Sequence, residues 1–174
     1  MNKKESYLVE NLFNDVASKY DLLNDLLSFG VHRIWKRQMI QWLNPLPGEC
    51  WVDLCCGTGD LALKLAELVS PGGSVVGIDF ADKALQIAKS RHSQKSFLPI
   101  TWRKLDANNT GLRSGTFDGA VMAYGLRNLN DPLDGLSELY RLLKPDSKAL
   151  ILDFNHLDEP TFGYSFQKFY LRNI

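Results

Sequence analysis

Four acidic residues and a pair of glycines are the side chains whose types and spacing suggest chemistry. In WVDLCCGTGDLALKLAE, residues 51–67, an apolar run enters a glycine turn and then a helix-like pattern. Gly57, Gly59 and Ala62 satisfy G-x-G-x-x-A, a turn that brings backbone amides close to a nucleotide, with Thr58 inside it. Asp79 ends the next apolar run, followed by Phe80, where a carboxylate can take both hydroxyls of a ribose. Asp106, followed by Ala107, ends the run after that in KLDANN. There it can accept from an adenine amino group, or close an Asx turn in a polar loop.

The remaining acids decide which nucleotide. Asp53 and Asp60 frame the turn where a pyrophosphate would want helix amides and no carboxylate. Two unit charges about 4 Å apart interact by roughly 4 kcal/mol at an effective dielectric near 20. If both acids face the ligand, they disfavour a dinucleotide and favour a cation. S-adenosyl-L-methionine carries a sulfonium, an ammonium and a ribose, so it suits this frame better than NAD. An NAD-dependent oxidoreductase stays open on the glycine pattern and Asp79. Asp60 alone has a local explanation, since a carboxylate in a first helical turn suits the helix dipole. Asp53 has none, because an unpaired charge inside an apolar strand is costly.

These residues need elements to hold them. CWVDLC, SVVGIDF, ITWRKLD, TFDGAVMAYG and KALILDFN read as strands; GDLALKLAELV, ADKALQIAKSRH and DPLDGLSELYRLLK read as helices between them. Ala84, Leu85 and Ala88 should face inward, and Pro132 suits a first helical turn. Strands apolar on both faces and alternating with helices imply a parallel sheet covered on each side. With right-handed crossovers this is an α/β, Rossmann-like doubly wound fold, whose ligands sit at the carboxyl ends of the strands. Those ends are Asp53 to Gly59, Asp79, Asp106, Ala123 to Asn128, and Asp153 to Asn155. Upstream, residues 7–20 and about 32–43 read as helices, with a break at Gly30. Residues 1–45 are thus expected to form a helical cap and residues 46–174 the core.

Composition narrows the field further. Twenty basic residues balance twenty acidic ones in 174, so no overall positive field points to nucleic acid. The opening lacks the apolar stretch of a secretory signal, and no apolar run would span a bilayer. Cys50, Cys55 and Cys56 lack the C-x-x-C spacing of a metal site and make a poor disulfide framework. They read as small buried hydrophobes in a reducing, cytoplasmic compartment; a reactive thiol at Cys56 is the alternative.

DLCCGTGD, VVGIDF, KLDAN and FDGAVMAYGLRN resemble the successive motifs of class I S-adenosyl-L-methionine-dependent methyltransferases. YDLLNDLLSFGVHRIW, AYGLRNLNDP and RLLKPDSKALILDFN narrow this to the quinone-ring C-methyltransferases of ubiquinone and menaquinone biosynthesis. The resemblance runs from about Leu12 to Asn155. Within that family DLCCG and LDFN resemble the phylloquinone branch, whose substrate is a phytyl naphthoquinone. Leu23, Asp146 with Ser147, and the stretch Ala107 to Gly111 depart from the family pattern. The family also continues beyond the point matching Ile174 into another helix and closing antiparallel strands, so the sequence reads as truncated there.

The resemblance implies C-methylation of a reduced quinol ring. Loss of a phenolic proton enriches the ring carbon, which attacks a sulfonium methyl in line, with no metal and no covalent enzyme intermediate. Asp53, Gly57, Thr58, Gly59, Asp79, Phe80, Asp106, Ala107 and Ala123 would bind the donor. Arg127 would hold the quinol oxygen and favour the phenolate, Asn128 would orient the ring, and His32 or a water would accept the proton. The plainer role of Arg127 is an ion pair with Asp131 or Asp134. Tyr20, Asn24, Trp35 and Tyr124 would border the substrate, although Trp35 and His32, at i and i+3, also suit packing onto the sheet. The partner is then a lipophilic quinol. Leu22, Leu23, Leu26, Leu27 and Phe29 could line a groove for its tail or touch a membrane, and a homodimer is left open.

Overall fold

The computed structural model describes residues 31–153. Tyr20, Asn24, Asn155, the leucines around residue 25 and most of the expected cap lie outside these residues.

Helix α1 (Val31–Leu43) is followed by β1 (Cys50–Leu54), α2 (Asp60–Val69), β2 (Ser74–Asp79), α3 (Asp82–Ser93), β3 (Ile100–Lys104), β4 (Phe117–Ala123), a 3-10 turn (Leu126–Asn128), α4 (Pro132–Leu142) and β5 (Leu143–Leu152). All strand pairs are parallel and the order is β3-β2-β1-β4-β5. The chain winds outward from β1 through β2 to β3, then crosses back to β4 on the other side of β1. The carboxyl ends of β1 and β4 therefore flank the point where the winding reverses, which is where ligands enter such sheets.

Alternation along β1 sends Trp51 and Asp53 to one face and Val52 and Leu54 to the other. On the first face Trp51 and Val121 pack with Met39, Ile40 and Leu43 of α1 and Leu61, Leu65 and Val69 of α2. On the second, Val52, Leu54, Ile78, Ala120 and Met122 pack under Leu139 and Leu142 of α4. Each fully buried Leu, Ile or Val contributes on the order of 1.5–3 kcal/mol relative to exposure, so the central strands are held firmly from both sides. Gly119 makes room for this packing: a Cβ there would overlap the six-membered ring of Trp51.

Within residues 31–153 the expected strands and helices form close to their predicted places, and Ala84, Leu85 and Ala88 are buried as expected. The fifth strand differs. It begins at Leu143 directly after α4, five residues before the predicted start at Lys148. Asp118 explains the extension, accepting the Cys50 N–H at 2.9 Å and the Lys144 ammonium at 2.6 Å. The Ser147 hydroxyl donates to the Phe117 carbonyl at 3.2 Å, completing the tie. Asp146 bends the chain with φ 61, a left-handed conformation that aspartate tolerates where a glycine would be usual.

Candidate active site

The glycine turn leaves β1 through Cys55 (φ 58), Gly57 (φ 54) and Gly59 (φ 87). The two glycines have different reasons to be glycine. A Cβ at Gly59 would run into the indole of Trp102 and the Ala88 methyl, so this position is a packing requirement. A Cβ at Gly57 would meet nothing within 4 Å, so this position opens onto space. Trp102 is held in turn by its Nε1–H, which donates to His92 Nδ1 at 3.1 Å, while His92 Nε2 lies 2.9 Å from the Leu98 carbonyl.

Asp79 ties the turn to the next strand. Its Oδ2 accepts the Gly57 N–H at 2.7 Å and its Oδ1 the Ala81 N–H at 2.8 Å. Burial raises its pKa above the ordinary aspartate value, against the lowering pull of the Ala81, Gly57 and Phe80 amides. Phe80 is 40% exposed, with the Lys104 ammonium 5.7 Å from its ring centre. Asp106 forms an Asx turn, its Oδ1 accepting the Asn108 N–H at 2.8 Å. Ala107 behind it is buried, and Ala123 ends β4 half-buried.

Asp53 is the buried anomaly. It is 1% exposed, and its Oδ2 has no hydrogen-bond partner among the described residues. Burial pushes its pKa up to about 8, opposed by the Lys36 ammonium and the Ala62 amide. Asp60 behaves otherwise than expected. Its carboxylate accepts from Arg91 Nη1 at 2.7 Å and from Lys36 Nζ at 3.3 Å. Two cations pair with it, so of the two acids framing the turn only Asp53 keeps a carboxyl oxygen without a hydrogen-bond partner among the described residues. Arg91 also reaches the Thr58 hydroxyl at 2.9 Å and its carbonyl at 3.2 Å, clamping the buried Thr58 from α3. Burial raises the Cys55 and Cys56 thiols well above their ordinary value, with nearby carboxylates adding to the effect. Neither is poised as a thiolate nucleophile.

The other half of the site follows β4. Tyr124 is buried at φ 60, a strained conformation for an aromatic residue that costs of order 1–3 kcal/mol. Its N–H donates to the Leu152 carbonyl at 2.7 Å, and its carbonyl accepts from Asn128 Nδ2 at 3.1 Å. The Arg127 guanidinium lies 5.8 Å from the Tyr124 ring centre and donates to Asp153 Oδ1 at 2.5 Å. The carboxylate partner of Arg127 is thus Asp153, where proximity in sequence suggests Asp131 or Asp134. Asp131 instead caps α4, accepting the N–H groups of Leu133 at 2.8 Å and Asp134 at 3.2 Å.

His32 is buried on α1, one turn before Lys36. Trp35, three residues on, is 40% exposed. The structure thus brings together Asp53, Thr58, Gly57 and Asp79 on one side, and Tyr124, Arg127, Asn128 and Asp153 on the other. Sequence reasoning missed Lys36, Arg91 and Trp102. Each sits on a separate element from the turn it braces, and only the odd placement of Asp53 hinted that a neighbouring cation was needed.

The residues at the turn fit S-adenosyl-L-methionine: a buried carboxylate oxygen without a partner, open space at Gly57 and a second carboxylate at Asp79 suit a cationic nucleoside. Comparisons with known proteins agree. The model of the ubiE/COQ5 methyltransferase family matches residues 1–174. A 2-phytyl-1,4-naphthoquinone methyltransferase of Nostoc sp. is 44% identical over 167 residues, 95% of this chain and 72% of that protein. The protein of that name from Synechocystis sp. is 43% identical, with 95% and 70% covered. A chloroplastic counterpart from Arabidopsis thaliana is 46% identical over 147 residues, 83% of this chain and 56% of its own length. Among solved structures, a putative S-adenosyl-L-methionine-dependent methyltransferase from Methanococcus maripaludis superposes with TM-score 0.68 at 20% identity, covering 92% of this chain and 71% of the other. An Aquifex aeolicus methyltransferase gives 0.65 at 21%, covering 79% and 77%, so both report on the fold. An oxidoreductase reading falls away, and the chain is a methyltransferase of class I fold that belongs to the ubiE/COQ5 methyltransferase family.

Proposed function

We propose that this chain methylates the ring carbon of a reduced prenylated naphthoquinone, taking demethylphylloquinol to phylloquinol in phylloquinone biosynthesis. The observation that carries this reading is 44% identity over 95% of the chain to a 2-phytyl-1,4-naphthoquinone methyltransferase. The donor is S-adenosyl-L-methionine, which supplies an electrophilic methyl group on a cationic sulfur when bound. Asp79 takes the ribose hydroxyls, and Asp53 offers the negative end that a cation needs. Gly57, Thr58 and Gly59 bring the chain close to the donor, while Phe80, Asp106, Ala107 and Ala123 border it.

On the acceptor side, Arg127 favours the phenolate by opposite charge and hydrogen bonding. Asn128, held against the Tyr124 carbonyl, orients the ring, and Tyr124 walls the pocket. His32, Trp35, Tyr20 and Asn24 complete the acceptor side, with His32 or a water taking the phenolic proton. Alignment at near-attack distance and exclusion of water supply the rate.

The quinol is lipophilic, so we infer a cytoplasmic protein that meets its substrate at a membrane surface. Ile34 and Trp42 of α1 are 62% and 67% exposed beside Arg33 and Arg37, a mixture suited to an anionic lipid interface.

The test is a methyl-transfer assay with reduced 2-phytyl-1,4-naphthoquinone and isotopically labelled donor, beside a prenylated benzoquinol as competitor. Label in the naphthoquinol ring is expected. Donor binding with no transfer, or preferential labelling of the benzoquinol, overturns the assignment.

A further inference from the structure

We propose that Asp153 is a positioning residue for methyl transfer, acting through Arg127; this rests on the proposed function, in which Arg127 faces the quinol oxygen. One carboxylate grips both ends of one residue. Asp153 Oδ2 accepts the Arg127 backbone N–H at 3.1 Å, while Oδ1 accepts from its guanidinium at 2.5 Å. A surface pair would fix only the charged tip and would contribute about 0–1 kcal/mol. Here the Asp153 side chain is 12% exposed and that of Arg127 26%, so the carboxylate end of the pair is shielded while Arg127 stays in reach of solvent.

The carboxylate itself stands on a rigid base. It follows Leu152, the last residue of β5, which pairs with Ala123. The Leu152 carbonyl then takes the Tyr124 N–H, carrying the strand ladder one step past the end of β4. Tyr124 lies beneath the guanidinium, and its carbonyl holds Asn128. The short 3-10 turn (Leu126–Asn128) is thereby pinned from β5 on one side and from Tyr124 on the other. A guanidinium has five N–H donors in a fixed plane, so a carboxylate on one edge sets the plane without exhausting it. Orientation of that plane matters because a phenolate stabiliser that swings through several rotamers loses the geometric advantage that drives a two-substrate reaction.

The test is a double-mutant cycle with Asp153→Ala and Arg127→Ala, read as kcat/KM for reduced 2-phytyl-1,4-naphthoquinone and as donor Kd by calorimetry. Asp153→Ala is expected to lower quinol kcat/KM by roughly 10- to 100-fold and to leave donor Kd within about twofold, as for loss of an outer partner that orients a site residue. In the Arg127→Ala background the same change should have no further effect, because its route is already gone. Added formate should restore part of the turnover of Asp153→Ala and none of that of the double variant. Asp153→Asn keeps an acceptor oxygen and guards against loss of folding; it should fall between wild type and Asp153→Ala. Equal losses from Asp153→Ala in both backgrounds would place Asp153 in proton transfer or general stability and overturn the proposal. An unchanged kcat/KM in Asp153→Ala, with Arg127→Ala impaired, would overturn it as well. If Arg127→Ala itself leaves kcat/KM unchanged, the role assigned to Arg127 fails first, and that result is distinct from the other two.

Discussion

At the scale of single residues, the most informative group is Asp53. Its pKa is raised by burial to about 8, so near neutral pH the free protein holds it mostly protonated. A bound cation stabilises the ionised form, so donor affinity should rise with pH up to about 8 and then level off. Asp53→Asn should flatten that profile, as titration calorimetry across roughly pH 6–9 would show; an unaltered slope would assign the pH dependence elsewhere. The same shift has a stability consequence. Between about pH 4 and 8 the folded form holds a proton that the unfolded form has lost, so wild-type stability falls as pH rises through that window. Asp53→Asn should therefore gain melting temperature relative to wild type at about pH 8 and gain little at about pH 4. The two glycines of the turn make a second contrast. Gly59→Ala must displace the Trp102 indole as well as adopt φ 87, and should cost at least the roughly 1–2 kcal/mol of a left-handed residue. Gly57→Ala meets open space, so calorimetry should show its main loss in donor affinity, with thermal melting less affected than in Gly59→Ala.

At the scale of elements, the brace between α4 and the loop after β3 is built on Glu138. It is 7% exposed and accepts the Thr110 N–H at 2.9 Å and hydroxyl at 2.5 Å, with both Arg141 donors at 2.7 Å. The Arg141 and Thr110 hydrogen bonds hold its pKa down to about 2, against burial. A lowered folded pKa gives stability that is full above about pH 4.5 and lost as pH falls toward 2. Glu138→Gln should lose that acid dependence and cost about 1.5–3 kcal/mol near neutral pH, measured by urea unfolding. This brace was invisible in the sequence, because DPLDGLSELYRLLK shows only helical periodicity and gives no sign that a loop 28 residues earlier ends on Glu138. Strand and helix placement was legible because it depends on local apolar period, as in Leu61, Leu65 and Val69. The early start of β5 was not, since it depends on Asp118 reaching across to Lys144. The same distinction holds within the site. Gly57 and Asp79 follow from motif spacing and Arg127 from the family resemblance, whereas the partners of Asp60 and Arg127 depend on how α3, α1 and β5 come to lie beside their turns.

At the scale of the whole molecule, the proposed function divides the two ligands along the sheet order β3-β2-β1-β4-β5. The donor-side residues Asp53, Gly57, Asp79 and Asp106 belong to β1, β2, β3 and the turns that follow. The acceptor-side residues Tyr124, Arg127, Asn128 and Asp153 belong to β4, β5 and the turn between them. Replacing residues 124–131 together with 153 by those of a benzoquinol-methylating relative should change ring preference in a competition assay and leave donor Kd within a few fold. A parallel loss of donor affinity would show that the halves are not separable. Helix α4 passes straight into β5 at Leu142 and Leu143 with no connecting loop. That direct joint has an evolutionary corollary: a length change there falls upstream of the bulge between Leu143 and Lys148, so the ladder from Lys148 to Leu152 can keep Asp153 in step with Arg127. The span between β3 and β4, residues 105–116, is the less tolerant one, because Thr110 is fixed to Glu138 and Asp106 closes a turn within it.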